Sequence, residues 1–261
     1  IRVTVWYEYT QEAGIFPEHL KDQMPAEEFE NFKNFLNTCK DKIKAVYPEG
    51  VTGAVVNHLQ TCEDMKITHV NQYMDQCGLP DELLNNTDVL IWWAHVSHDM
   101  VPDELVKKIV ERVHRGMGFI ALHSAHKSKP FTELLGTSGT LKWREGDFCR
   151  VWNIHPTHPI AQGIPEYFEL EPEEMYGEPF DIPTPEDTVF LSWFRGGELI
   201  RSGCTWTRGY GKVFYFQPGH ETYPTYHNGY ALRIIENAVR WAAPVLWRTD
   251  MTCPNTKALE D

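Results

Sequence analysis

The sequence predicts an α/β fold of three layers, with a doubly wound, mostly parallel sheet in the middle. Two runs, Asp88–Ala94 and Phe119–Leu122, are apolar throughout except for the initial Asp88, and they have the composition of strands buried on both faces. Between them, Pro102–Gly116 has apolar residues at helical spacing, acids in its first turn and cations before its terminal glycine. A strand, a helix and a second strand in this order form the right-handed unit from which parallel sheets are built.

The segments before Asp88 supply the rest of the amino-terminal half. Arg2–Tyr9 is rich in β-branched and aromatic residues and predicts the first strand of the sheet. A helix over about 50–60 and a weak strand over 66–70 follow, and Asp81 begins a short helix. These elements complete the first part of a doubly wound pattern.

One further helix is predicted to begin at Pro25. Apolar residues recur there at positions 29, 32, 35 and 36, and acidic residues fill the first turn. We interpret the segment 25–47 as a local insertion whose charged residues form a solvated face.

The carboxyl-terminal half changes to an antiparallel pattern. Strands are predicted near 147–154, 188–194 and 198–207, with prolines interrupting them. This antiparallel excursion is expected to lie over the edge of the sheet that carries the site. Residues 212–217 then predict a last core strand, and 231–242 predict a closing amphipathic helix.

Composition narrows the class of protein. The 261 residues suit one large domain, predicted over 1–244, with a tail at 245–261 that is either docked or disordered. A net charge of −13 argues against a nucleic-acid partner. No apolar run approaches the roughly 20 residues that cross a membrane. Six cysteines without a Cys-x-x-Cys pair indicate free thiols. A cytoplasmic location is therefore expected.

Side chains capable of acid–base chemistry follow the predicted core strands directly. His123 lies within Ala121-x-His123-x-Ala125, whose small residues suit a sharp strand-to-helix elbow. His95, His220 and Glu8 follow three other predicted strands. Because catalytic groups collect at the carboxyl ends of parallel strands, all four side chains are expected at one edge of the sheet.

Four further segments form a recognisable set: Val89–His95, Leu141–Glu145, Glu173–Phe180 and Gly211–Pro224. Together they resemble the trehalose-utilisation, ThuA-like family. The elbow resembles that of the class I glutamine amidotransferase-like, flavodoxin-like fold, with His123 in place of the nucleophilic cysteine. The resemblance implies a role in carbohydrate catabolism. It also places His220 and Glu221 where the amidotransferase fold keeps its catalytic histidine and glutamate.

Glutamine hydrolysis is not expected, because it needs a thiolate at the elbow and the closest cysteine, Cys149, belongs to a different predicted strand. The leading hypothesis is an enzyme that acts on a trehalose-like or keto-disaccharide by metal-assisted or histidine/glutamate acid–base chemistry. The alternative is a non-catalytic sugar-binding or partner protein on the same scaffold. A small-molecule carbohydrate is the expected partner, with a sugar dehydrogenase of the same pathway and a homo-oligomeric assembly as further expectations.

The predicted site combines three groups of residues. The catalytic group is His123, His220, Glu221 and Glu174. The substrate-binding group, chosen for indole, guanidinium and phenol side chains that suit a polyhydroxylated ring, is Trp93, Trp143, Arg144 and Tyr176. The ligands of a divalent ion, zinc in the first place, would be His95, His123, His220 and Glu8. A metal-free pocket of hydrogen-bonded histidines is the alternative.

Overall fold

The structure is a computed structural model that describes residues 1–15, 21 and 25–260. Within these ranges nine strands join one sheet. In chain order they are β1 (Arg2–Tyr7), β2 (Lys66–Asn71), β3 (Val89–Trp93), β4 (Gly118–Leu122), β5 (Lys142–Asn153), β6 (Tyr167–Gly177), β7 (Asp187–Phe194), β8 (Leu199–Arg208) and β9 (Gly211–Phe216). Across the sheet the order is β2-β1-β3-β4-β9-β8-β7-β5-β6.

The helices pack on this sheet through apolar stripes. In chain order they are α1 (Thr10–Ala13), α2 (Ala26–Val46), α3 (Gly53–Gln60), α4 (Asp81–Asn85), α5 (Asp103–His114), α6 (Lys129–Leu135) and α7 (Gly229–Ala242). The stripe predicted for α5 is buried from Leu105 to Val113. α3 packs with α7, and α5 packs with α6.

The parallel half of the sheet confirms the predicted fold class. β2, β1, β3, β4 and β9 are neighbours and run in the same direction. Trp6 of β1 pairs in register with Trp92 of β3, and their rings stack with centroids 3.7 Å apart. Because these strands are parallel, their carboxyl ends lie at one edge. Glu8, His95, His123 and His220 come after four of these strands at that edge.

The antiparallel half also confirms the prediction, and it continues the same sheet through β8, β7, β5 and β6. The sequence did not predict β6 as a strand, since Pro172 interrupts its pattern. β6 is the last strand of the sheet, and edge strands accept proline because one side of their backbone has no partner. β6 carries Glu174 and Tyr176 to the site.

The tail beyond α7 begins as a docked arm. The guanidinium of Arg112 lies 4.2 Å from the ring centre of Trp247, and the backbone N–H of Arg248 donates to the carbonyl of Arg115 at 2.8 Å. Residues 251–260 are exposed. Within the described ranges, no helix has both the length and the apolar character that crossing a membrane requires.

The close contact between β4 and α7 gives a test of the core. A Cβ atom on Gly118 would lie 2.5 Å from the carbonyl oxygen of Ala242 and 2.7 Å from its Cβ. We expect Gly118→Ala to lower the free energy of unfolding by about 2 kcal/mol or more, because backbone must move to relieve the overlap. Gly229→Ala is the matched control, since a Cβ there meets nothing within 4 Å. Equal urea midpoints for the two variants would contradict this packing.

Candidate functional site

The elbow after β4 places His123 in an unusual backbone conformation. Its φ angle is 54°, in the left-handed region that non-glycine residues rarely occupy. The ring is fully buried, and its Nδ1 lies 3.0 Å from the carbonyl oxygen of Gln217. The ring also stacks on Tyr176, with centroids 5.0 Å apart. These contacts hold the imidazole in one orientation, with Nδ1 as the protonated nitrogen because a carbonyl can only accept.

Two other histidines converge on His123 from neighbouring strands. The ring centroids of His95 and His123 are 5.6 Å apart, and those of His123 and His220 are 5.4 Å apart. The His95 and His220 rings are separated by 5.3 Å. The rings stand at steep angles to one another, between 75° and 83°. The three imidazoles therefore form a nearly equilateral cluster at the sheet edge.

His95 forms an ion pair with Glu221. Its Nδ1 lies 2.9 Å from a carboxylate oxygen of Glu221, which is fully buried. The side-chain amide of Gln11 donates to the same carboxylate at 2.8 Å. Burial opposes charge on His95, but the nearby carboxylates, Glu221 first, outweigh it and raise the pKa of His95 to about 10. Burial would raise the pKa of Glu221, yet His95 and His220 hold it well below its usual range.

His123 forms a second pair with Glu174 of β6. Nε2 of His123 lies 3.0 Å from Oε2 of Glu174. Burial alone would raise the pKa of Glu174, but the imidazoles, His123 first, more than offset burial and lower it. Glu174 is therefore ionised at neutral pH although it is 2% exposed.

His220 presents a buried polar atom to the same space. Its Nδ1 accepts the backbone N–H of Thr222 at 3.1 Å, so the proton of the neutral ring resides on Nε2. Nε2 is buried and makes no hydrogen bond to the described residues, and an oxygen of Glu145 lies 3.9 Å away. Buried N–H groups are nearly always satisfied in folded proteins. This nitrogen is therefore suited to a ligand atom.

Glu8 does not join the histidine cluster, contrary to the predicted role as a metal ligand. Its carboxylate accepts the backbone N–H groups of His95, Val96 and Ser97, with closest distances of 2.9 Å each. These bonds use both oxygens and shape the loop that carries His95. The carboxylate of the cluster is Glu221 instead. Sequence position alone could not show this, since it depends on the direction of three amide groups.

A second buried carboxylate, Glu173, shapes the loop that carries His220. It accepts the N–H groups of Glu174 at 2.8 Å and Gly219 at 3.1 Å, and the hydroxyl of Thr225. Burial raises its pKa. At Gly219, where φ is 147°, a Cβ would lie 2.1 Å from the hydroxyl of Tyr226. Glycine is therefore required at this turn. Glu174 was predicted as a catalytic residue, whereas the role of its neighbour Glu173 in shaping this loop was not predicted.

A cavity of about 440 Å³ opens beside the cluster. Polar and apolar side chains share its wall, which is formed by Phe32, Phe35, His95, Val96, His98, Ser124, His126, Lys127, Thr140, Leu141, Trp143, Glu145, Glu174 and Tyr176. Its volume falls within the roughly 300–1,000 Å³ of small-molecule sites. Two predicted binding residues, Trp143 and Tyr176, line it. Phe32 and Phe35 of α2 were not predicted to do so.

Two other predicted binding residues lie elsewhere. Trp93 is buried, and its indole N–H donates to the carbonyl of Gly219 at 3.0 Å, which makes it a support for the loop behind the site. Arg144 forms ion pairs with Asp147 and with Glu198, the latter at 2.5 Å. Both side chains are committed to partners within the protein. Neither contributes to the wall of the cavity.

Two overlapping groups have the spacing that a metal ion needs. Ligand atoms lie within 4.8 Å of one another in the sets His95, His123, His220, Glu221 and Glu145, Glu174, His220. His123 offers a lone pair at Nε2, since its Nδ1 is the donor to Gln217. His220 would offer one only if its proton moved to Nδ1, where the hydroxyl of Thr222 at 3.0 Å could accept it. His95 would offer a lone pair at Nε2 only in its neutral form, since its Nδ1 is held by Glu221. With both changes of protonation the donor set fits a nitrogen-rich divalent site.

A match to a known protein family shows to which family the chain belongs. Residues 40–242 match the family described as ThuA, trehalose utilisation. The chain belongs to this family. The matched residues include the three histidines, Glu174 and Glu221. Among curated proteins, no sequence is similar enough to count as a relative.

Solved structures show the same fold at low identity. A putative ThuA-like protein from Parabacteroides merdae is 12% identical, with a TM-score of 0.57 over 96% of this chain and 92% of that one. A cytoplasmic protein from Salmonella typhimurium LT2 is 15% identical, with a TM-score of 0.57 over 75% and 88%. PurLQS from Thermotoga maritima is 11% identical, with a TM-score of 0.51 over 92% and 98%. The fold is thus of the glutamine amidotransferase-like type.

At the elbow this chain carries His123. The cysteine nearest to it in sequence, Cys149, is fully buried on β5.

The neutral state of His126 predicts a dependence of stability on pH. Burial lowers its pKa from 6.5 to about 3, while its Nδ1 donates to the carbonyl of Gly139. The unfolded chain gains a proton below pH 6.5 that the folded chain does not, so stability falls with pH from about 6.5 toward 3, by up to about 1.4 kcal/mol per pH unit. His126→Asn keeps an N–H donor but does not titrate. Its urea-unfolding free energy should fall less steeply with pH than that of the wild type, and parallel curves would contradict the assignment.

Proposed function

We propose that this protein is an enzyme of carbohydrate catabolism that moves a proton at a carbon next to a carbonyl group of a trehalose-like keto-disaccharide. The observation that carries the proposal is the ionised, buried Glu174 on the cavity wall, 3.0 Å from His123 and beside the His95–Glu221 pair. A carboxylate base beside hydrogen-bond donors that can stabilise a developing enolate oxygen is one combination that proton abstraction next to a carbonyl uses.

Glu174 is the proposed base. Its carboxylate takes a proton from the sugar carbon, the C–H bonding pair forms a carbon–carbon double bond, and the π pair of the carbonyl moves onto oxygen to give an enolate. Nε2 of His123, 3.0 Å from this carboxylate, is the neighbouring group with which the proton can be shared, because Nδ1 stays bonded to Gln217. Return of the proton to carbon completes an exchange, and the same step begins an isomerisation or an elimination.

His95 is the proposed source of positive charge beside the enolate oxygen. Glu221 holds its Nδ1, so Nε2 is the nitrogen that remains for a ligand. A raised pKa keeps the ring protonated and able to donate. Preorganised donors of this kind are worth about 3–4 kcal/mol of transition-state stabilisation. Nε2 of His220, buried and without a hydrogen bond to the described residues, is a second donor suited to the same oxygen.

A divalent ion, zinc in the first place, is the alternative source of positive charge in the proposal, and neutral His95, His123 and His220 would be its ligands. When bound, it would supply Lewis-acid polarisation of the carbonyl oxygen. The imidazoles and Glu174 keep the roles of holding the site and moving the proton.

The ketone of the substrate would come from oxidation of a sugar hydroxyl, which is the reaction that a sugar dehydrogenase catalyses. A cytoplasmic location is proposed with it, as for the Salmonella relative.

Exchange of hydrogen for deuterium tests the proton-transfer step directly. Trehalose with one ring hydroxyl oxidised to a ketone would be incubated with enzyme in D₂O, and proton NMR would follow the carbon next to the ketone. We expect wild-type protein to catalyse the exchange and Glu174→Gln to slow it by at least about 100-fold, because the base is lost.

Glu171→Gln on the same strand is the matched control, since Glu171 is exposed and pairs with Arg195. Its exchange rate should equal that of the wild type. Binding of the keto-disaccharide without any exchange would contradict the proposed step. That result would favour a non-catalytic sugar-binding protein instead.

Elemental analysis of protein purified without a histidine tag tests the metal. We expect about one ion per chain in the wild type and its loss in both His123→Ala and His220→Ala, because each removes a nitrogen ligand. Occupancy should also fall as the pH is lowered, since protons compete with the metal for imidazole. A metal-free wild type that still exchanges deuterium would contradict the ion and leave the positive charge to His95.

A further inference from the structure

We propose that Phe32 and Phe35 of α2, together with Trp143, form an aromatic subsite that holds the second ring of a disaccharide while the first ring meets His95 and Glu174. This inference rests on the proposed function for the identity of the first ring's site. It goes beyond that function by assigning the choice of substrate to α2.

The buried apolar stripe of α2 determines which way the side chains of Phe32 and Phe35 point. Phe29, Leu36, Cys39 and Ile43 are buried, and they recur at helical spacing. Phe32 is partly buried and Phe35 is 43% exposed, so they lie at the border of this stripe. Their rings are nearly parallel, at 16°, with centroids 6.3 Å apart. Both line the cavity.

The carboxyl-terminal end of α2 is anchored near the loop that carries His220. The hydroxyl of Tyr47, which follows α2, donates to the carbonyl of Tyr223 at 2.6 Å. Nε2 of His227 lies 2.8 Å from the carbonyl oxygen of Val46. Earlier in the helix, Lys40 donates to the carbonyl of Ala13 at 3.2 Å. These contacts fix the helix relative to the catalytic loops and hold the aromatic rings above the cavity.

The cavity is polar at its inner end and aromatic at its mouth. Glu174 and Tyr176 are almost fully buried, whereas Phe35 is 43% exposed and Trp143 is 63% exposed. A pyranose ring has hydroxyl groups around its rim and C–H groups on its faces, and such faces stack on aromatic rings. A ligand of two linked rings can therefore place one ring at the acid–base groups and bury the exposed aromatic surface with the other.

Phe32 and Phe35 lie outside the part of the chain that matches the family, which begins at residue 40. His95, His123, Glu174 and His220 all lie within it. The acid–base groups therefore belong to the shared scaffold, whereas these two aromatic side chains of the mouth come from a segment of this chain that precedes it. Because the two sets of residues lie in different parts of the chain, the aromatic residues can select the substrate without any change to the acid–base residues.

Calorimetric titration with trehalose and with glucose tests the subsite without requiring turnover. We expect wild-type protein to bind trehalose more tightly than glucose. The double variant with Phe32→Ala and Phe35→Ala should weaken trehalose binding by about tenfold and leave glucose binding unchanged, because only the disaccharide reaches the mouth. Trp143→Ala should have the same selective effect. Phe35→Tyr, which keeps an aromatic face, should bind trehalose like the wild type.

Lys33→Ala is the matched control, because Lys33 is an exposed residue of the same helix and does not line the cavity. Equal losses for both sugars, an unchanged preference in the double variant, or no sugar binding by the wild type would overturn the subsite. Selective loss of trehalose binding in a protein that shows no deuterium exchange would uphold the subsite while contradicting the proposed chemistry. The two proposals therefore fail by different results.

Discussion

Four carboxylates are buried at one edge of the sheet, and the structure of the site depends on the hydrogen-bond and ion-pair partners that they require. Glu8, Glu173, Glu174 and Glu221 are between 0% and 2% exposed. An ionised carboxylate costs several kcal/mol to bury unless hydrogen bonds or opposite charge replace its water. Glu8 and Glu173 find those partners mainly in backbone N–H groups, which fixes the loops after β3 and β9. Glu174 and Glu221 find them in imidazoles, which fixes the rings.

Much of the fold could be predicted because its signals are local. The apolar runs of β3 and β4 and the amphipathic stripe of α5 are direct consequences of burial, and parallel pairing of the two strands then brings their carboxyl ends to one edge. The edge strand β6 was missed because Pro172 breaks the alternation of a strand with few partners. The sequence pattern cannot show that a strand lies at the edge of a sheet, where proline is acceptable.

The site was predictable only where a residue's role follows from its strand. His95, His123 and His220 come after β3, β4 and β9, so parallel pairing alone brings them to one edge. The functions of Glu8, Trp93 and Arg144 depend instead on the direction of amide groups and on ion pairs that form in three dimensions. Phe32 and Phe35 belong to a helix whose position no periodicity specifies. Their contribution to the cavity is a property of how α2 packs.

The pairing of Gln11 and His95 with Glu221 joins residues separated by 210 and 126 positions. β9 and the loop after it complete the parallel half of the sheet. A nascent chain that ends before β9 therefore contains Glu8 and His95 but lacks Glu221, the carboxylate that neutralises the histidine cluster. The edge of β4 stays open until β9 adds to it. Synthesis on the ribosome therefore passes through a long interval in which most of the polypeptide exists without a site, and contacts of such long range form slowly. During that interval β4 has an unpaired edge, and unpaired edges of this kind can pair with other chains and aggregate.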